Sequence, residues 1–500
     1  LRATRAWVPP GLMRLRGPLA DSYPAAAALV VLALVPYLAL SSALTPLTPV
    51  VGRRVGLSPQ ALQLAAGMAN AAYAFGTVVA VQLAVHWRPR RMLVCYAALF
   101  TLGSVLAALA LDPAMFVAGH VLQGGCTSLM LIAAVPPLVT GWPAKRMPWT
   151  GAIMNLCIFG AVAAGPSIGS VQAAAQRWRP LFWIVAGIGA LALAFALLTF
   201  EDAEPQDPEA PWDWVAMGLA ALGCAAAFFG ASELATHPMT SPVALAPLAG
   251  GAVLIVGLVA HQYAVRHPLM PLRLVSTTLP VAGIVVAMSA GAVSVAAIEL
   301  AQTALMHRPA PPSPLHVAVL FLPELGGAIV TAGIFGALFR TRFTPLLAFA
   351  GMLALTGGAA ALTGVASAAD SLVAAGAGLI GLGVGASVSP ALFIAGFSLR
   401  STQIQRVFAL IELLRGVAAF VVAPIVLHVA MTVARTPAAG VAPAMGLCVA
   451  LAGAGTLAAV ALYAAGGTKL QRPDLERWEG GDEPAWESPP LAAAVRGGRE

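Results

Sequence analysis

Glu299, Glu324, Glu412 and Arg415 stand inside long apolar stretches, and His120 stands inside another. A charged or polar ionisable group among Ala, Val, Leu and Gly is costly unless it is paired or wetted, so each is a candidate for use. The chemistry open to them is proton transfer and ion pairing. An imidazole with its ordinary pKa of about 6.5 changes charge in the physiological range. A carboxyl in an apolar setting can hold or release a proton as water reaches it. His120, Glu299 and Glu324 are therefore the proton-binding candidates. Glu412 and Arg415 are three residues apart, a spacing that puts both on one helix face, and they read as a neutralised pair fixing helix contacts or a gate. Glu233 and His428 lie nearer the ends of their stretches and read as side chains reaching for a polar boundary.

Little else in the chain can do chemistry. Cys95, Cys126, Cys157, Cys224 and Cys448 each stand alone in apolar sequence without C-x-x-C spacing, so neither a disulfide nor a metal site is expected. No Gly-x4-Gly-Lys-Ser/Thr loop is present, which argues against ATP-driven work. A membrane acyltransferase using His120 or His428 as a base would need polar neighbours, and His120 is flanked by Ala118, Gly119, Val121 and Leu122. No enzyme activity and no cofactor are expected.

The elements that hold these residues follow from composition. Of 500 residues, 59% are hydrophobic and 9% charged, where a soluble chain carries about 25% charged residues. So few charges cannot cover a soluble surface, and so many apolar residues exclude disorder. Basic residues stand singly or in pairs at the ends of apolar runs rather than clustered with aromatics, which excludes a nucleic-acid binder. The expectation is an all-α polytopic membrane protein of fourteen helices. Runs of about 20 residues or more, enough to span a bilayer, fall near 25–49, 61–85, 92–111, 114–140, 151–173, 180–200, 214–236, 243–264, 279–303, 316–338, 345–366, 371–397, 407–433 and 441–465. The chain opens on Leu1, and its first run is long enough to span and stay, so a cleaved leader is not expected.

Loops and tails on the N-terminal side carry twenty Lys and Arg, and those on the other side carry six. That asymmetry predicts both termini in the cytoplasm. The domain reading is a tail over 1–24, a six-helix bundle over 25–200 and an acidic linker over 201–213 with Glu201, Asp202, Glu204, Asp207, Glu209 and Asp213. Two additional helices follow over 214–264, then a second six-helix bundle over 279–465 and a disordered cytoplasmic tail over 466–500.

Five motifs in order then resemble a known family. His120-Val-Leu-Gln123-Gly124-Gly125 in the fourth run is similar to an Arg-x-x-Gln-Gly element. Gly160-x4-Gly165-Pro166-x2-Gly169 in the fifth is similar to an antiporter motif, with Ser170 in place of its last Gly. Trp178-Arg179-Pro180-Leu181-Phe182, His267-Pro268-Leu269-Met270-Pro271-Leu272-Arg273-Leu274 and Arg415-Gly416 complete the set. Together they resemble the fourteen-spanner drug:proton antiporter branch of the major facilitator superfamily, of the multidrug efflux type. The chain departs from that pattern at Ala84-Val85-His86-Trp87-Arg88-Pro89-Arg90-Arg91, which lacks the family Asp. It departs again at Leu40-Ser41-Ser42 and at His120, where the family has Asp and Arg.

The resemblance implies two six-helix bundles plus two extra helices, with the first, fourth, ninth and twelfth runs lining a central cavity. It implies a monomer in the plasma membrane of a bacterium, whose partners are a small-molecule substrate, protons and the lipid bilayer. The activity it implies is export of small amphipathic or apolar compounds by alternating access with proton antiport. The missing acids keep two other readings open: an uncoupled or differently coupled transporter of a lipid-like or metabolite substrate, and a non-transporting sensor or scaffold. His120, Glu299 and Glu324 are expected to share one outward vestibule. The pocket is expected to be mostly aromatic and aliphatic, with Tyr73, Phe75, Met154 and Phe159 as liners. Gly376, Gly378, Gly381, Gly383 and Gly385 in the twelfth run suit close, sliding helix contacts.

Overall fold

The structure is a computed structural model that describes residues 17–199, 204–205, 207–434, 436–481 and 483–491. Arg2, Arg5, Arg14, Arg16, Glu201, Asp202, Arg435, Arg496 and Arg499 lie outside the described residues.

Fourteen helices among the described residues are long and apolar enough to cross a membrane. They are α1 Tyr23–Val55, α2 Pro59–His86, α3 Pro89–Leu109, α4 Pro113–Thr140, α5 Ala144–Ala174, α6 Arg179–Thr199 and α7 Trp214–Glu233. After them come α8 Pro242–Ala264, α9 Thr278–Met306, α10 Pro314–Leu338, α11 Thr344–Ala361, α12 Asp370–Phe397, α13 Ile404–Thr432 and α14 Pro437–Ala465. Helix is the form that satisfies every backbone N–H and C=O within one segment, which a lipid environment demands. The starts are written locally. Proline stands in the first turn of α1, α2, α3, α4, α8, α10, α11 and α14, where its missing N–H costs nothing. Ser22, Ser58, Asp112, Asp213, Ser313 and Thr436 each accept the backbone N–H three residues on.

Helix contacts repeat with an offset of eight. In the first bundle α1 touches α4, α5 and α6, α4 touches α2 and α3, and α3 touches α6. In the second α9 touches α12, α13 and α14, α12 touches α10 and α11, and α11 touches α14. The bundles meet along two seams, α5 on α10 and α13 on α2. The extra pair packs together, and α7 docks on both α2 and α13, so it lies along one seam. Outward faces are apolar: Val253 on α8 is 69% exposed and Leu457 on α14 is 71% exposed. In water that surface would drive aggregation, and against lipid tails it is ordinary. The protein is an all-α, multi-pass membrane protein.

The expectation of a disordered tail over 466–500 is corrected for residues 466–481 and 483–491. This stretch folds back on the helix ends and includes α15, Leu475–Glu479. Trp478 and Trp486 are buried. The indole of Trp478 donates from Nε1 to the Leu399 carbonyl at 2.8 Å and its ring lies 4.2 Å from that of Phe397. Prolines and polar residues lowered the apparent hydrophobicity of this stretch, while two aromatic anchors suffice to hold it.

Asp213 closes the linker onto the extra pair. Its Oδ1 accepts from Ala216 N and from His261 Nε2, each at 2.9 Å, and its Oδ2 accepts from Gln262 Nε2 at 2.7 Å. Burial pushes this carboxyl up, but the three donors outweigh burial and hold it below the ordinary carboxylate range. The stability it contributes is therefore full above that range and is lost as pH falls through the folded value. Asp213→Ala is expected to lower thermal stability by about 1–2 kcal/mol at neutral pH. The difference from the native chain should narrow under acid, as thermal scans of the solubilised protein at two pH values would show.

Candidate functional site

A cavity of about 280 Å³ lies between the bundles. Its walls come from Leu38 to Val51 on α1, Leu62 to Asn70 on α2, Ile158 to Pro166 on α5 and Ser294 to Thr303 on α9, together with α10, α12 and α13. Val51 and Thr303 are near the ends of helices that start on the termini side, so the cavity occupies the half of the protein away from the described termini. Thr48, Gln63, Glu299 and Thr303 line it and are half-exposed, so the cavity is reached from that side. On the termini side the same helices are sealed. Phe335, Phe339, Phe393, Phe397 and Phe408 form a chain of ring contacts 5.2 to 5.8 Å apart. Gly151 of α5 seats against Phe335 and Phe339, where a Cβ would meet ring carbons at 2.7 to 3.0 Å.

Of the three proton-binding candidates, the structure brings Glu299 and Glu324 to this one cavity and leaves His120 out of it. Glu324 is buried and its Oε2 has no hydrogen-bond partner. Its position depends on α10 and α12 touching through backbone. A Cβ at Gly381 would overlap the Glu324 carbonyl, and one at Gly327 would come within 2.5 Å of the Gly378 carbonyl oxygen. Glu299 is half-buried on α9, one bundle helix away. Neither carboxyl has an ion-pair partner among the described residues. Hydroxyls and amides of Ser41, Ser42, Thr45, Gln63 and Asn70 alternate with aliphatic side chains along the wall. The aromatic share comes from Phe159 and Phe420, and the rest of the apolar wall is aliphatic, so the wall is mostly aliphatic with a substantial polar part. Tyr73 and Met154 are buried elsewhere, and Phe75 is not on the lining.

Glu412 and Arg415 form the ion pair their spacing suggested. Arg415 donates from Nη2 to Glu412 Oε2 at 2.5 Å and from Nε to Oε1 at 3.2 Å, a two-pronged geometry. The Tyr73 hydroxyl donates to Glu412 Oε2 at 3.2 Å across the α2–α13 seam. Arg415 also lines the cavity and stands 5.9 Å from the Phe159 ring centroid. A buried charge pair is therefore tied to both bundles at the cavity floor.

His120 is buried beside the rings of Tyr37 and Phe116. Its Nδ1 is 3.0 Å from Gln123 Oε1, and Gln123 Nε2 donates to Ser104 Oγ at 3.0 Å. The imidazole, Gln123 and Ser104 thus form a polar chain within the α3–α4 contact. Gly124 abuts the Ala69 carbonyl, and Gly165 and Gly169 abut α1 backbone between Ala39 and Ala43. Those motif positions serve helix contact. Gly160 closes a π-helical segment, Leu156–Gly160, that carries Phe159 onto the cavity. Glu233 meets His237 at 3.1 Å at the end of α7, and His428 Nδ1 donates to the Leu234 carbonyl at 2.8 Å.

Asn155, unmarked in the sequence, bridges the α5 seam by donating from Nδ2 to the Gly385 carbonyl at 3.0 Å, just before the π segment. Ser167 Oγ donates to the Ala318 carbonyl at 2.7 Å, and Gln405 Nε2 to the Ile132 carbonyl at 3.0 Å. A polar residue mid-span was the available signal for Asn155.

Removing one partner of a buried pair leaves an uncompensated charge, at a cost of about 3–5 kcal/mol. Glu412→Leu alone is expected to destabilise the protein by that order. Glu412→Leu combined with Arg415→Met should recover most of the loss in thermal unfolding. Equal loss in both variants would mean the two residues are not coupled.

A sequence description of the Major Facilitator Superfamily matches residues 30–424. The uncharacterized MFS-type transporter YubD of Bacillus subtilis is 27% identical over 332 residues, 66% of this chain and 64% of that one. A multidrug resistance protein B homolog of Mycobacterium tuberculosis is 26% identical over 271 residues, covering 54% of this chain and 50% of that one. The cephamycin export protein CmcT of Amycolatopsis lactamdurans is 27% identical over 243 residues, 47% of this chain and 49% of that one. The chain thus spans between 49% and 64% of the length of these relatives. Among solved structures, the human organic anion transporter MFSD10 superposes with a TM-score of 0.61 at 12% identity, over 88% of this chain and 99% of that one. The peptide transporter POT in complex with sulfate superposes with a TM-score of 0.59 at 15% identity, over 88% and 94%. At those identities the likeness is one of fold. With the family match running through the cavity-lining helices of both bundles, the chain belongs to the Major Facilitator Superfamily.

Proposed function

We propose that the protein is a secondary transporter of the drug:proton antiporter branch, exporting small amphipathic compounds across a bacterial plasma membrane by alternating access. The observation that carries this reading is a single cavity, between two repeated bundles, that contains two carboxyls without counter-ions. The charge asymmetry of the loops supports cytoplasmic termini, in which case the cavity faces outward and the aromatic seal faces the cytoplasm. The state described is then the one from which substrate leaves and protons enter. Rocking the bundles about the α5–α10 and α2–α13 seams would close this cavity and open the other side.

Glu299 and Glu324 are assigned the coupling. A carboxyl that faces water in one state and substrate in the other can exchange a proton for a cationic or hydrogen-bonding group of the substrate. The hydroxyl- and amide-bearing wall favours amphipathic compounds with such a group over purely apolar ones. His120 is assigned to helix contact through Gln123 and Ser104. The relatives that export cephamycin and confer multidrug resistance fit this direction of transport, as does the probable actinorhodin transporter of Streptomyces coelicolor, 29% identical over 196 residues.

Dissipation of a pH gradient on adding substrate to proteoliposomes tests the assignment. Glu299→Gln and Glu324→Gln are each expected to lower substrate-driven proton flux by about tenfold or more, the scale of losing one required proton step. His120→Ala should stay within about twofold, since surface-distant packing changes act through stability rather than the proton step. Wild-type transport that leaves the pH gradient intact would instead favour the uncoupled reading.

A further inference from the structure

Residues 474–481 and 483–490 lie under the sealed face and touch both bundles. Most of its anchors are on the second bundle. Trp478 and Trp486 pack on Phe397, the last residue of α12 and a member of the aromatic seal, with ring centroids 4.2 Å away and tilted, and 6.1 Å away and stacked. Ala485 N donates to the Phe397 carbonyl at 2.8 Å. The Ser488 hydroxyl accepts from Leu279 N at 2.9 Å, and the Pro489 carbonyl accepts from Thr278 N at 3.0 Å, at the start of α9. One hydrogen bond among the described residues crosses to the first bundle. Glu479 Oε2 accepts the Ala144 N–H at 2.9 Å, at the very start of α5.

That contact has a specific physical meaning. The residue before Ala144 is Pro143, which supplies no side-chain cap, so the first N–H groups of α5 have no cap of their own. The carboxylate of Glu479, held by the second bundle, caps a helix of the first. Anionic charge at a helix N-terminus is favourable, and Lys145 and Arg146 follow immediately. Opening the termini side must draw the start of α5 away from the ends of α10 and α12. The cap then breaks, while the two indoles travel with Phe397 on the second bundle. On the far face the described residues of this stretch make no hydrogen bond.

We propose that residues 474–481 and 483–490 form a strap that selectively stabilises the state closed on the termini side, and so sets how often the transporter resets. The proposal rests on the alternating-access reading above. A ligand or contact that exists in one of two states shifts their balance by its differential free energy and by nothing else. Anything that lifts the strap off Phe397 would therefore speed opening on that side without touching the substrate cavity.

The test uses the full-length chain in membranes, with the five native cysteines replaced and one reporter cysteine added. Thr48→Cys reports on the far cavity. Ala133→Cys, a buried residue lining the cleft between α4 and the start of α13, reports on the termini side. Labelling by a membrane-impermeant thiol reagent is measured from each side. Trp478→Ala is expected to raise Ala133→Cys labelling about five- to tenfold and to lower Thr48→Cys labelling, as loss of a buried aromatic anchor and its hydrogen bond implies. Glu479→Gln, at an exposed position that leaves the indoles docked, should give a smaller rise of about twofold. A chain that alternates with substrate, its two labelling rates moving in opposite directions, while both rates ignore Trp478→Ala and Glu479→Gln, overturns the strap alone. A native chain whose two rates never oppose each other overturns alternating access and the strap with it.

Discussion

Hydrocarbon offers no hydrogen bonds, and the architecture follows from that. Each backbone polar group must be satisfied within its own segment, and each ionisable side chain must find a partner, water or a boundary. The described residues obey this closely. Glu412 and Arg415 pair with each other and share Tyr73. Glu233 and His428 reach helix ends where carbonyls and a histidine meet them. The two carboxyls that lack counter-ions, Glu299 and Glu324, both line the cavity. The exceptions to pairing thus coincide with the place where water and solute can enter.

Without a hydrophobic drive between helices in lipid, contact depends on close backbone approach. Gly165 and Gly169 let α5 lie on α1, and Gly327 and Gly381 let α10 lie on α12. These crossings repeat across the two bundles, as the shared pattern of helix neighbours shows. The seams between bundles are built differently. They hold few hydrogen bonds, among them Asn155 to Gly385, Ser167 to Ala318 and Tyr73 to Glu412. Tight contacts inside bundles and sparse polar ones between them are what rigid-body rocking requires.

The two faces of the protein are unlike. One opens into a mixed polar cavity, and the other is closed by a run of phenylalanines with two tryptophans stacked beneath. An aromatic seal is apolar, so it opens without leaving charges unpaired. The buried ion pair lies on α13, tied to α2 through Tyr73 and lining the cavity through Arg415.

Fold class was legible from the residues because a bilayer imposes length and composition on every span. Fourteen apolar runs became fourteen helices, with ends shifted by a few residues where proline and serine caps extend them. The Glu412–Arg415 pair was legible too, since helical spacing alone brings i and i+3 together. A vestibule shared by Glu299 and Glu324 was part of the expectation, but the exclusion of His120 from it was not, because periodicity says that a residue is in a span but not which way its helix is turned. Nor was Asn155's bond to Gly385, which joins residues 230 positions apart. The folded tail was misread for a related reason: Trp478 and Trp486 are two apolar residues in a polar stretch, and their burial depends on a surface at Phe397 that exists only once α12 and α13 have assembled.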